Sequence, residues 1–94
     1  MGNDNFIELA KQLVVDYWNN EVYEDFKEGY KSANKMTTDE VYVVWLNKIL
    51  QNNKAMLSTN ASDGRYYEVT YNGDKNEIYF DSYVKEYNEA ISVG

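Results

Sequence analysis

Residues 65–84, RYYEVTYNGDKNEIYFDSYV, restrict the fold more than any other stretch of this chain. Apolar and polar residues alternate on both sides of Asn72-Gly73-Asp74, and period-two alternation marks a half-buried strand. A β-hairpin follows. Pairing Val69 with Ile78 sets Tyr67 opposite Phe80, Tyr71 opposite Asn76, Glu68 opposite Tyr79 and Thr70 opposite Glu77. Tyr67, Val69, Tyr71, Ile78, Phe80 and Val84 then share a buried face. Tyr66, Glu68, Thr70, Glu77, Tyr79, Asp81 and Tyr83 share the other. A one-residue shift would oppose apolar and charged sets. A two-residue shift that sets Glu68 opposite Glu77 keeps the faces but adds like-charge repulsion. The sequence therefore predicts the Val69–Ile78 register.

Ninety-four residues suffice for one domain with a single core, so 1–94 is read as one unit. The 44% hydrophobic and 16% aromatic content, with ten tyrosines, points to a folded globule. No apolar run approaches the roughly 20 residues needed to cross a bilayer. The opening MGNDNF has no basic region and no apolar core, so the sequence predicts no signal peptide. Myristoylation would want Ser or Thr at position 6, where Phe6 stands. The expected location is cytoplasmic, which leaves the Asn60-Ala61-Ser62 sequon without a use.

The chain contains no cysteine and no histidine. Disulfides, zinc thiolates, thiol nucleophiles, the commonest general base and the partner of a nucleophilic serine are all missing. Paired carboxylates or a lysine remain for catalysis, but such sites need a pocket that a chain this short seldom encloses. No enzymatic activity, cofactor or metal is expected. The formal charge is −7, from 16 acidic against 9 basic residues. That sign repels phosphate backbones, so direct nucleic-acid binding is not expected. Acids can imitate nucleic acid and block a protein that binds it, but net charge more often keeps a small protein dispersed.

Asn3 and Asp4 are N-cap candidates for a helix of about 15 residues, with Phe6, Ile7, Ala10, Leu13, Val14, Tyr17 and Trp18 at helical spacing. Lys11 and Asp16 fall near its wet side, and Asn19-Asn20 is the expected end. Val22, Phe26 and Tyr30, four apart, suggest a short second helix to about Lys31, then a loop. Glu21, Glu24, Asp25 and Glu28 would line its exposed side. Thr37 to Glu40 matches a capping box, which argues for a helix carrying Val41, Val44, Trp45 and Ile49 on one side. Against it, Val41-Tyr42-Val43-Val44-Trp45-Leu46 is wholly β-branched, aromatic or aliphatic. Periodicity cannot separate the two readings. Residue content favours a strand, and apolar residues on both faces suit a central one. Gln51-Asn52-Asn53 would then turn into a strand at Lys54–Thr59, and Asp63-Gly64 marks the next hairpin. The expected fold is α+β, with one or two N-terminal helices packed on a four-stranded antiparallel meander sheet.

The outward face of the last hairpin carries Tyr66, Tyr79 and Tyr83 beside Glu68, Asp81 and Glu77. Tyrosine offers a large rigid contact area with one polar end and is enriched at interfaces. Tyr66, Glu68, Tyr79, Asp81 and Tyr83 are thus candidate contacts for an unidentified protein partner or a second copy. The plainer reading is a solvated face, or one covered by the chain's own middle segment. The acids from Asp16 to Glu28 are hard cation ligands, but their spacing matches no calcium loop. A solvated helical face explains them better. Asp63 and Asp74 look like turn chemistry. Tyr17, Trp18, Tyr42 and Trp45 could line a ligand pocket, though a small domain needs such bulk in its core, where they are expected.

The block from Val41 to Tyr87 resembles a family of small uncharacterised proteins found in phages and prophages of Gram-positive bacteria. The resemblance is carried by Val41-Tyr42-Val43-Val44-Trp45, Leu50-Gln51-Asn52, Lys54-Ala55, Leu57-Ser58-Thr59 and Asp63-Gly64. It continues through Tyr66-Tyr67-Glu68-Val69-Thr70-Tyr71-Asn72-Gly73-Asp74-Lys75 to Tyr79, Asp81 and Tyr83. It covers about half of the chain; Asn20 to Met36 is longer than the family pattern. It implies a phage or prophage setting and transfers no catalytic role to any residue. The leading expectation is a non-enzymatic accessory protein acting by protein–protein contact. The alternative is an acidic inhibitor occupying the nucleic-acid site of a host or defence enzyme.

Overall fold

Phe6, Ala10, Val14, Val15 and Trp18 form one apolar stripe, and a helix bearing such a stripe is stable only when the stripe is covered. A computed structural model, describing residues 1–26 and 35–94, shows what covers it. Helix α1 spans Asn3–Tyr17. A π-helical turn, Trp18–Val22, carries it into a short helix α2, Tyr23–Phe26. A 3-10 turn at Thr38–Glu40 leads to four strands, β1 Val41–Ile49, β2 Asn52–Thr59, β3 Arg65–Asn72 and β4 Glu77–Val84. They pair antiparallel in the order β1-β2-β3-β4, so the α+β meander is the architecture found. The helical run lies on one side of the sheet. Its stripe meets Ala55, Leu57, Tyr67 and Val69, and Val22, Met36 and Val41 close the core.

The helix ends differ from expectation. Gly2, not Asn3 or Asp4, is the N-cap, and no side chain caps the helix. Asn3 is employed elsewhere, since its Oδ1 accepts from Nδ2 of the buried Asn53 at 3.2 Å. The helical run also continues through Asn19-Asn20. Asn19 does not end it, because its amide holds Met36, accepting from the Met36 N–H (2.7 Å) and donating to the Met36 carbonyl (3.0 Å). Trp18 and Val22 are buried four residues apart, which favours continuing the coil. The expected second helix is found as far as Phe26; its continuation to Lys31 and the start of the loop after it fall on residues 27–34, outside the described residues.

The Val41–Ile49 segment is a strand, so the helix suggested by the capping box does not form. Thr37 makes no side-chain cap and starts only the 3-10 turn. Yet β1 is an edge strand rather than a central one, and a bulge interrupts it between Val43 and Trp45. Its turn is Leu50-Gln51, not Gln51-Asn52-Asn53, and β2 begins earlier, at Asn52. Leu50 stands at φ 56° and is 87% exposed. A β-carbon in that region costs about 1 kcal/mol, which Asn largely avoids. Leu50→Asn should therefore raise stability by roughly 0.5–1 kcal/mol, a rise of a few degrees in Tm. An unchanged melt would mean that the turn carries no such strain.

The last hairpin has the expected faces in a different register. Val69 pairs with Phe80, Tyr71 with Ile78, Tyr67 with Ser82 and Glu68 with Asp81, two residues away from the Val69–Ile78 register. The turn decides this. Asn72 Oδ1 accepts from the N–H groups of Asp74 (3.1 Å) and Lys75 (3.3 Å), and Asn76 closes the loop at φ 53°. The strands now close at Asn72 and Glu77 around a four-residue loop, residues 73–76, where a turn at Asn72-Gly73-Asp74 was expected. The Glu68–Asp81 opposition costs only tenths of a kcal/mol on an exposed face. Lys54 on β2 offsets it, with Nζ 3.3 Å from Glu68. Val84, expected on the buried face, is exposed.

Candidate functional site

Among the described residues only one face of the sheet is covered. Strand alternation sends Asn53, Ala55, Leu57, Tyr67, Val69, Tyr71, Ile78 and Phe80 toward the helices. There Tyr17 packs edge-on to Tyr67 (6.0 Å) and against Phe80 (5.4 Å), while Tyr67 and Phe80 stack at 5.8 Å. Burial and the nearby Asp63 carboxylate hold the Tyr67 hydroxyl well above its ordinary pKa, so it stays neutral.

The same alternation sends Tyr66, Glu68, Thr70, Glu77, Tyr79, Asp81 and Tyr83 to the opposite face. All five candidate site residues are therefore brought together. Tyr66 lies across from Tyr83, Glu68 from Asp81 and Thr70 from Tyr79. Tyr79 and Tyr83 are about half exposed. The Tyr79 hydroxyl donates to Glu77 Oε2 (2.9 Å), which raises its pKa and keeps the ring presented to solvent. Lys85 Nζ stands 5.3 Å from the centroid of the Tyr66 ring, a cation–π contact. A shallow depression of about 300 Å³ is lined by Met56, Tyr66, Tyr83, Val84 and Lys85.

Sequence reasoning missed half of this surface. Tyr42 and Trp45 were expected in the core, yet both are exposed, Trp45 to 40%. The register places Tyr42 opposite Ser58 and Trp45 opposite Met56, on the open face. Of the four aromatics assigned to the core, only Trp18 is fully buried and Tyr17 is half-buried. The signal was the two-sided apolar pattern of β1, which is equally the pattern of an edge strand whose outward side chains await a partner. Tyr42, Trp45, Met56, Tyr66, Tyr79 and Tyr83 share this face with Lys54, Glu68, Glu77 and Asp81, the row of Glu68 and Asp81 running between Tyr66 and Tyr79.

A polar anchor supports the sheet at the β2–β3 turn. The Asp63 side chain, 1% exposed, accepts from Trp18 Nε1 (3.0 Å) and the Arg65 N–H (3.1 Å), and Arg65 Nε lies 3.6 Å away. Asp63 does the turn chemistry its sequence suggested and also ties the helical run to the sheet. Among the described residues no three acidic side chains converge as a cation site, and no helix is long and apolar enough to cross a membrane.

The fold and its surface thus define a small α+β domain, a meander sheet covered by helices on one face and, among the described residues, open and aromatic on the other. The chain belongs to a family of unknown function (DUF6275), matched over residues 7–93. No curated protein and no solved structure matches it.

Proposed function

We propose that this protein is a non-enzymatic accessory protein of a phage or prophage, at work in the host cytoplasm, where it binds another protein through the open face of its sheet. The observation carrying the reading is the uncovered aromatic surface of Tyr42, Trp45, Met56, Tyr66, Tyr79 and Tyr83. Large rigid side chains with polar ends, gathered on a flat scaffold, are what interface hot spots are made of. The lack of histidine and cysteine supports contact over catalysis. The phage setting rests on the resemblance carried by the strand and turn residues from Val41 to Tyr83.

The double substitution Tyr79→Ser and Tyr83→Ser tests it. Both side chains sit on an exposed edge strand outside the core, so thermal melting should be unchanged. Capture of the partner from host lysate by the tagged protein should fall by about tenfold or more. Capture of the same partner at full strength would rule the open face out.

A second reading, an acidic inhibitor that mimics nucleic acid, is favoured by the helical run. Asp4, Glu8, Asp16, Glu21, Glu24 and Asp25 are all exposed there, and Lys11 is the one basic residue between positions 3 and 26. Salt separates the two. Attraction by exposed charge is screened between low and moderate ionic strength, whereas binding through the aromatic face should hardly change.

A further inference from the structure

We infer that two copies of this chain associate by strand addition, residues 85–93 of one copy lying along the free outer edge of β1 in the other. This goes beyond the open-face reading and uses different backbone.

The segment after β4 has the properties of a strand with no ladder to join. Every residue from Lys85 to Gly94 is exposed. Tyr87, Ile91 and Val93 are 74%, 71% and 98% exposed. The Lys85 N–H donates to the Gly64 carbonyl at 2.7 Å. Beyond that bond, among the described residues, the backbone of 86–94 pairs with nothing else in the chain. The Tyr87 hydroxyl donates to Glu89 two residues on, so their side chains share one side, as in a strand. Tyr87, Ile91 and Val93 would share that side, while Glu86, Asn88 and Ser92 take the other. The family match runs to residue 93, so this apolar alternation is part of the family's domain.

The β1 edge is the complementary half. Among the described residues no strand pairs with its outer side. It offers nine residues, VYVVWLNKI, with no proline and one charge. An unpaired apolar edge of that length templates another strand. An antiparallel register with Ile91 opposite Trp45 gives consistent neighbours throughout. Tyr87 then faces Ile49, Glu89 faces Asn47 and Ala90 faces Leu46, while Asn88 faces Lys48 with Glu89 and Glu86 nearby. The Val43–Trp45 bulge lies at the end of this pairing and leaves Trp45–Ile49 regular.

Geometry assigns the segment to a second copy. β4 and β1 are opposite edges of the sheet, separated by three strand spacings, roughly 14 Å. β4 ends beside the start of β1, at the Val41 end of the sheet, so Tyr87, only three residues past Val84 (roughly 10 Å of extended chain), cannot reach Ile49 at the far end of β1 in its own copy. A neighbouring molecule can receive the whole segment.

The test is sedimentation equilibrium of the full chain over a wide concentration range, beside the double variant Ala90→Pro, Ile91→Pro. Successive N–H groups of a strand point to opposite sides, so adjacent prolines remove one ladder donor whichever parity pairs. Both lie in an exposed segment, so the monomer should melt as before. Self-association is expected in the parent chain and should weaken by about tenfold or more in the variant. Amide exchange at Trp45–Ile49 should slow as concentration rises. A monomer at every concentration, association indifferent to the prolines, or protection of β1 independent of concentration would each overturn the inference. The prolines leave Tyr79 and Tyr83 untouched, so partner capture through the open face should persist, and the two readings can fail separately.

Discussion

Replacing Gly73 by Ala is expected to cost this domain about 2–3 kcal/mol, far more than an exposed turn position normally does. Gly73 is not there for a left-handed backbone, since its φ is not positive. Instead the β3–β4 turn is pressed against the β1–β2 turn. A Cβ on Gly73 would clash with the Gln51 carbonyl oxygen and lie 2.8 Å from the Gln51 Cβ. The obstacle is backbone, which cannot rotate away as a side-chain end would. The Gly73 N–H donates to Asn52 Oδ1 (3.2 Å), so separating the turns also breaks that bond. Gly64 is the control. It stands at φ +68°, where an added Cβ meets only Lys85 Cβ at 3.9 Å. Gly64→Ala should therefore show the conformational penalty alone, about 1 kcal/mol. Denaturant melts of the two variants decide the matter, and equal losses would contradict the close-approach explanation.

Asp63→Ala is expected to cost about 3 kcal/mol. The carboxylate is nearly sealed from water, and removing it leaves the Trp18 indole N–H and the Arg65 N–H without their acceptor and the Arg65 guanidinium without its counter-charge. Unsatisfied buried donors cost their full desolvation, which exceeds the net worth of the bonds they made. Asp63→Asn keeps an acceptor oxygen and loses the charge, so its loss should be about half as large. Near-ultraviolet circular dichroism should register the freed indole in the alanine variant. A loss below about 0.5 kcal/mol for Asp63→Ala would mean that this anchor does not hold helix to sheet.

Both effects come from contacts between segments distant in the chain, and this separates what was legible in the sequence from what was not. Hairpin faces were legible, because side-chain alternation is local and burial selects its phase. The open-face residues Tyr66, Glu68, Tyr79, Asp81 and Tyr83 were placed correctly for that reason. The register was not. The charge argument against Glu68–Glu77 was sound as far as it went, but repulsion on a wet face is worth tenths of a kcal/mol. It cannot outweigh a turn in which Asn72 satisfies two amides and Asn76 accepts the left-handed conformation. Helix ends failed similarly. Asn3 and Asn19 have the residue type of a cap and a stop, yet tertiary structure uses one to hold Asn53 and the other to hold Met36.

The β1 segment shows the limit most clearly. Its Val/Tyr/Trp content was enough to choose strand over helix, since β-branched and aromatic side chains pack well on a pleated surface. Whether such a strand is central or marginal depends on who its neighbours are, and no local pattern contains that. On the page of letters, Tyr42 and Trp45 are core. In the folded molecule they are two of the five aromatics on the open face.

The α+β class, the meander and the inward set of Tyr67, Val69, Tyr71, Ile78 and Phe80 could be read from the residues alone, because alternation and helical periodicity are properties of neighbouring residues. Which strand lies at the edge and which register the last hairpin takes were settled by folded contacts, the register by the turn that Asn72 and Asn76 hold. Among the described residues the face opposite the helices stays open, because their amphipathic run has one apolar stripe and can cover one side of a sheet and not the other.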